Sequence, residues 1–145
     1  MTVTIQSTVD PELATRLRLA VGRLHRRIRL ATNDIPPLQL STLVTLEQRG
    51  PLRSGELAQR EAVSPPTMTR VLASLTERGL INRAADPGDA RSVRVSLSVG
   101  GVSALERIRS ERAAILSVRL ARLSPEQLLA LETALPALEA LVADE

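Results

Sequence analysis

The 145-residue chain has no cysteine, lysine, phenylalanine, tyrosine or tryptophan, and a single histidine. Without thiols there is no disulfide framework, thiolate zinc site or thiol redox sensor, and one imidazole cannot build a histidine metal cluster. No cofactor is expected. With no Cys, Tyr or Lys nucleophile and no glycine-rich phosphate loop, the chain reads as a non-enzyme. The missing rings also remove the stacking platforms that hold single-stranded nucleic acids. No apolar run approaches the roughly 18 residues of a membrane span, and residues 1–9 lack the charged and apolar regions of a signal peptide. The expectation is a soluble, cytoplasmic protein with no membrane partner.

What is present is arginine: all 19 basic side chains are of this type. The net charge of +3 is modest but unevenly spread. Residues 124–145 hold Glu126, Glu132, Glu139, Asp144 and Glu145 and no base, so the rest of the chain is more basic than the whole. Such a division suits a basic body facing a polyanion and a distal acidic end. The length allows one domain over residues 1–145 with an aliphatic core that needs no covalent staple.

Residues 54–97 are the most informative stretch. Ser54 offers an N-cap with Glu56 in the first turn, and Leu57, Ala58 and Ala62 give a two-turn amphipathic helix. Ser64-Pro65-Pro66-Thr67 opens a second helix, since serine accepts from unpaired N–H groups and proline is tolerated where a helix has none to pair. Pro66 disfavours helical geometry at Pro65, so a start one residue late is expected. Met68, Val71, Leu72 and Leu75 recur at helical spacing and leave Thr67, Thr69, Arg70, Ser74 and Glu77 off the core. Gly79 suits the left-handed position that ends a helix. Residues 80–83 alternate as a strand, Asp86-Pro87-Gly88-Asp89 is turn chemistry, and residues 91–97 alternate again. Two helices followed by a hairpin give the outline of a winged DNA reader.

On either side lie longer helices. Asp10-Pro11-Glu12 starts one, with Leu13, Leu17, Ala20, Leu24, Ile28 and Ala31 at spacings of three and four, until Asn33-Asp34-Ile35-Pro36-Pro37 breaks it. Residues 38–49 form the next, and Leu52 falls in a short strand beside the wing. Ser98 caps a helix over residues 99–122 despite Gly100-Gly101 in its first turn. Ser124-Pro125-Glu126-Gln127 is a capping box that starts the last helix, through Val142. Leu128, Leu129, Leu131, Leu135, Leu138, Leu141 and Val142 spread apolar surface around more than one side of that helix, which asks for burial on several sides. The expected fold is mainly α, a winged helix-turn-helix over residues 38–98 with dimerisation helices at 10–32 and 99–145, assembled as a homodimer rather than a monomer folded on its own core.

Ser64-Pro65-Pro66-Thr67-Met68-Thr69-Arg70, Leu75-Thr76-Glu77-Arg78-Gly79-Leu80-Ile81 and Asp86-Pro87-Gly88-Asp89-Ala90-Arg91 together resemble the MarR family of bacterial winged helix-turn-helix regulators: its recognition-helix opening, its helix exit into the first wing strand, and its wing signature. The resemblance implies a dimeric transcriptional repressor of double-stranded DNA, often released by a small anionic or phenolic effector. That effector would meet His25, Arg26 or Arg29, between the first two helices and the reading head. For DNA, Thr67 and Thr69 offer contacts to base edges or thymine methyls, and Arg70 a fork for guanine or a clamp for phosphate. Ser64, Pro66 and Ser74 line the same helix. Arg53 and Ser54 suit the phosphate backbone, although Ser54 also serves as an ordinary N-cap. Arg91 is the candidate for the minor groove, with Asp89 expected to hold its guanidinium in a planar fork or to be a plain surface pair. Arg94 adds phosphate attraction. The first-helix arginines Arg16, Arg18, Arg23, Arg26, Arg27 and Arg29 scatter around the helix and read as a solvated face rather than a second nucleic-acid patch. The alternative, a winged-helix protein-interaction module without specific DNA binding, calls for an apolar outer face on the recognition helix, where Thr67, Thr69 and Arg70 are polar.

Overall fold

The computed structural model describes residues 9–32 and 35–143. Asn33 and Asp34 of the expected break, and Asp144 and Glu145 of the acidic end, lie outside the described residues. Among the described residues there are six helices and one three-stranded antiparallel sheet: α1 (Pro11–Leu30), α2 (Pro37–Arg49), β1 (Leu52–Arg53), α3 (Ser54–Arg60), α4 (Pro65–Glu77), β2 (Ile81–Asp86), β3 (Asp89–Leu97), α5 (Val99–Leu120) and α6 (Pro125–Ala140). They divide into two units, one from residues 1–32 with 112–145 and one from residues 33–111, with α5 contributing to both. No helix among the described residues is long and apolar enough to cross a membrane.

In the terminal unit the expected caps are in place. Asp10 Oδ1 accepts from the Glu12 N–H at 2.9 Å, and Ser124 and Gln127 exchange side-chain and backbone bonds at 3.2 and 3.0 Å. The last helix ends at Ala140, two residues before the expected Val142, and carries Pro136 inside it, which removes one ladder donor from the final turns. Neither α1 nor α6 has a buried residue. Leu13, Val21, Leu129 and Leu135 are each more than half exposed.

The head unit holds the core. Leu43 and Leu46 of α2, Leu57 of α3, Met68, Leu72 and Leu75 of α4, Val95 of β3, and Leu105 and Ile108 of α5 are all at most 2 % exposed. Each such side chain contributes about 1.5–3 kcal/mol by leaving water, and with no aromatic ring available Met68 fills the space where these helices meet. Thr42 is buried with them because its hydroxyl donates to the Leu38 carbonyl at 2.8 Å. Bidentate bonds from Arg109 of α5 to Glu47 of α2, at 2.6 and 2.9 Å, fix the two helices along their outer edge. The strand order is β1-β3-β2, with Leu52 opposite Val95 and Ile81 opposite Leu97, so the expected short strand does pair with the wing.

Both helices of the helix-turn-helix end in the same left-handed turn. After α4, Gly79 (φ 70°) donates to Thr76 and Leu80 to Leu75, the paired bonds of a Schellman motif. After α3, Ala62 and Val63 donate to Gln59 and Ala58 in the same pattern, but the left-handed residue is Ala62 at φ 53°. An L-residue there costs about 1–2 kcal/mol. The turn is held by Glu61, whose carboxylate accepts from Ser41 and Thr45 of α2, each at 2.6 Å.

The glycine pair that weakens the opening of α5 has a packing reason. Ser98 donates its hydroxyl to the Gly79 carbonyl at 2.6 Å and its amide to the Leu80 carbonyl at 3.1 Å, while its Oγ caps the Gly101 N–H at 3.0 Å. These bonds draw the α4–β2 turn against the first turn of α5. A Cβ on Gly101 would overlap the Leu80 carbonyl oxygen, and one on Gly100 would meet the Gly79 carbonyl oxygen at 2.8 Å. Glycine is therefore a steric requirement at Gly101. Two substitutions should move stability in opposite directions. Gly101→Ala is expected to lower it by about 2 kcal/mol or more, whereas Ala62→Gly is expected to raise it by about 1 kcal/mol through relief of the left-handed strain. Denaturant unfolding followed by circular dichroism checks both; an unchanged midpoint for Gly101→Ala would refute the close approach.

Candidate nucleic-acid interface

The exposed side of the head unit is built from the openings of α3 and α4 and from the wing. At α3 the cap differs from the sequence expectation. The N-cap position is Arg53, Ser54 is the first helical residue, and the Arg53 backbone N–H is taken by Glu56 Oε1 at 3.1 Å. The acid takes the amide of the N-cap residue itself, and the half-buried Ser54, one position inside the helix, keeps its hydroxyl without a partner among the described residues.

At α4 the helix starts at Pro65, not a residue late. Ser64 Oγ accepts from the Thr67 N–H at 3.3 Å, and Pro65 and Pro66 occupy two of the positions that have no intrahelical acceptor. The cap and these positions together outweigh the steric preference of one proline for extended geometry before another. The consequence is chemical. Pro65 and Pro66 carry no N–H and that of Thr67 is spent, so the first three residues of α4 have no amide left for a phosphate. The hydroxyls are also largely occupied: Ser64 Oγ and Thr67 Oγ1 share a bond of 2.9 Å, and Thr69 donates to the Pro65 carbonyl at 3.0 Å.

Met68, Val71, Leu72 and Leu75 face the core, so Pro66, Arg70 and Ala73, at i, i+4 and i+7, lie on the opposite line of the helix and are exposed. Arg70 has no side-chain partner among the described residues. Ser74 is a correction. It is half-buried and its Oγ accepts from Gln39 Nε2 of α2 at 3.0 Å, which turns it into a brace between the two helices instead of a free group on the outer face. The spacing showed that Ser74 was off the core but not that α2 would cover it.

On the wing, the carboxylate that organises arginine is Asp86, which the sequence offered only as turn chemistry. Arg53 and Arg94 are direct cross-strand partners on β1 and β3, an arrangement in which like charges repel. Asp86, at the end of β2 beside a register irregularity, puts Oδ2 between them: 2.8 Å from Arg53 Nε, 2.5 Å from Arg53 Nη2 and 3.3 Å from Arg94 Nε. Its Oδ1 accepts from the Gly88 N–H at 2.9 Å. The Asp86 side chain is 1 % exposed, and the two arginines above it are 46 % and 45 % exposed. The Gly88 amide, then the Arg53 and Arg94 guanidiniums, hold this carboxyl down at about 2 against an ordinary 3.8, over the opposing effect of burial.

Asp89 does not hold Arg91 in a planar fork. Its Oδ1 accepts from the Arg91 backbone N–H at 3.0 Å and its Oδ2 from the Ser92 hydroxyl at 3.2 Å. At two residues' distance the backbone amide is the nearer donor, so Asp89 shapes the strand start and the exposed Arg91 guanidinium has no ion-pair partner among the described residues. His25, Arg26 and Arg29 lie on α1 in the terminal unit, at spacings that share one side; His25 and Arg26 are exposed and Arg29 is half-buried. Asp86, Gln39 and Ala73 are the residues that sequence reasoning missed.

A family model described as the MarR family matches residues 35–93. The uncharacterized HTH-type transcriptional regulator Mb0904 of Mycobacterium bovis is 44 % identical over 117 residues, 79 % of this chain and 82 % of that protein. The HTH-type transcriptional repressor MdtR of Bacillus subtilis is 27 % identical over 124 residues, 81 % of this chain and 80 % of the other. Among solved structures, that of the transcriptional regulator Tm0710 from Thermotoga maritima superposes with a TM-score of 0.78 over 91 % of this chain and 94 % of that one, a likeness of fold at 23 % identity.

The Asp86 node has a pH signature. Because the folded-state carboxyl lies below its ordinary value, its contribution to stability is complete above about pH 4 and is lost as the pH falls towards 2. In Asp86→Asn that contribution is absent throughout. Thermal melts of the two proteins should differ most near neutral pH and converge between about pH 4 and 2; a constant gap down to pH 2 would show that the carboxylate charge plays no part.

Proposed function

The chain belongs to the MarR family of transcriptional regulators, and from that membership we propose that it is a repressor that binds an inverted-repeat operator in double-stranded DNA as a homodimer. The observation that carries the reading is the distribution of arginine on the head unit. Arg70 on the outer line of α4 and Arg91 on the wing are exposed and unpaired among the described residues, while Arg53 and Arg94 stand half-exposed over one buried acid. Asp86 removes one unit of charge and fixes the direction of two, so a cationic face remains at the sheet edge beside α3. In the proposed complex α4 lies in the major groove, Arg53, Ser54 and Arg94 bind the phosphate backbone, and Arg91 enters the minor groove, where a narrow A·T segment concentrates negative potential.

Dimerisation is supported by the terminal unit. Most helical stability in proteins comes from packing an apolar face, and α1 and α6 bury none of their residues within one chain. A second copy supplies the missing cover. Two-fold symmetry then asks for half-sites about one helical turn, roughly 10 base pairs, apart. For the effector, a small anionic or phenolic ligand meets His25, Arg26 and Arg29; absence of heat on titrating salicylate would remove this part alone.

Selection of bound duplexes from a random pool tests the whole reading, with one inverted repeat expected and a steep fall of affinity with salt. Arg91→Ala should weaken binding to the selected duplex by more than about 1 kcal/mol; equal affinity in gel shifts at matched salt refutes the minor-groove role. Light scattering at micromolar concentration should give twice the chain mass, and a monomer mass overturns the dimer.

A further inference from the structure

We propose that α4 reads the major groove chiefly through methyl groups, so that its half-site carries thymines on either side of one guanine. The inference rests on the placement of α4 in the groove proposed above and adds what it recognises there. Hydrogen-bonding capacity at the helix opening is mostly spent within the protein. The first three residues have no free amide, the Thr69 proton goes to Pro65, and one of the two protons of the Ser64–Thr67 pair lies between those oxygens. No Asn or Gln stands in α4, so the paired donor and acceptor of adenine have no side-chain counterpart.

What the outer line presents instead is the Pro66 ring, the Arg70 guanidinium and the Ala73 methyl. The thymine 5-methyl is the apolar group of the major groove, and the O6 and N7 of guanine are the double acceptor that an arginine fork fits. Pro66 and Ala73 are about 10 Å apart along the helix axis, the rise of about three base-pair steps, with Arg70 between them. Thr69 exposes a methyl and an oxygen whose own proton is already donated. The geometry points to an apolar contact at each end of the line and one strong donor in the middle.

The test uses the full-length protein and the duplex selected from a random pool. Replacing contacted thymines by deoxyuridine deletes only the methyl, and affinity should fall about fourfold for each methyl removed from a dry contact. In Ala73→Gly the preference for thymine over deoxyuridine should vanish at one position and persist at the others. That ratio is read on the folded protein and does not depend on its stability. Replacing the guanine by 7-deazaguanine should weaken binding of the natural chain and leave Arg70→Ala indifferent. A selected duplex bound equally with thymine and deoxyuridine overturns the methyl reading while leaving the regulator intact. A pool that yields no preferred sequence overturns both.

Discussion

The reading head depends on one buried carboxylate. Asp86, at the end of β2, links the wing turn to β1 and β3, because its two oxygens hold the Gly88 amide on one side and the Arg53 and Arg94 guanidiniums on the other. Arg53 is also the residue from which α3 starts, so the acid ties the wing tip to the helix-turn-helix. Without it two like charges would stand opposite each other across β1 and β3. A buried acid is costly unless every lone pair is met and a cation stands close. Here each oxygen accepts at least one bond and two guanidiniums stand close, and the ion pair sets orientation as much as it adds stability.

Helix and wing divide the work by different physics. The wing concentrates charge, with arginines held apart and pointed by Asp86 or left extended. The α4 opening withdraws polar groups from outside use and closes them on itself through Ser64, Pro65 and Thr67. In the proposed complex, attraction to phosphate and discrimination among bases fall on separate elements, both fixed to the same aliphatic core. The Ser74–Gln39 bond belongs to this division, since it holds α4 to α2 and leaves the outer line of the helix narrow.

Much of this was legible in the sequence. Helix order, the caps at Asp10, Ser64, Ser98 and Ser124, the Gly79 exit, the short strand at Leu52 and the hairpin all follow from local rules that act within a few residues. The misreadings came where a local rule had two applicants or where a distant element decided. Ser54 carries the residue type of an N-cap, but the helix starts one residue earlier, with Arg53 at the cap and its amide taken by Glu56. Asp86 and Asp89 flank the same turn, and only the pairing of β1 with β3 shows that the arginines converge on the first. Ser74 was assigned outward from spacing alone, which cannot register α2. Gly100-Gly101 looked like a defect until the carbonyls of Gly79 and Leu80, some twenty residues earlier, were found against it. The Ala62 turn gave no signal, because alanine is not the residue that a left-handed position predicts.

The arginine-only face over Asp86 has a bearing on how such a protein can be switched. A guanidinium stays protonated throughout the physiological range and is not a substrate for lysine acetylation, the covalent route by which many basic surfaces are discharged. The acid beneath it exchanges its proton only near pH 2. The charge of the Arg53–Asp86–Arg94 group is thus untouched by acidity in the physiological range and by acyl transfer to amines. For the proposed release from a polyanion, displacing these arginines relative to one another or to their target is a route that changes no charge, which makes position itself a control variable of the head.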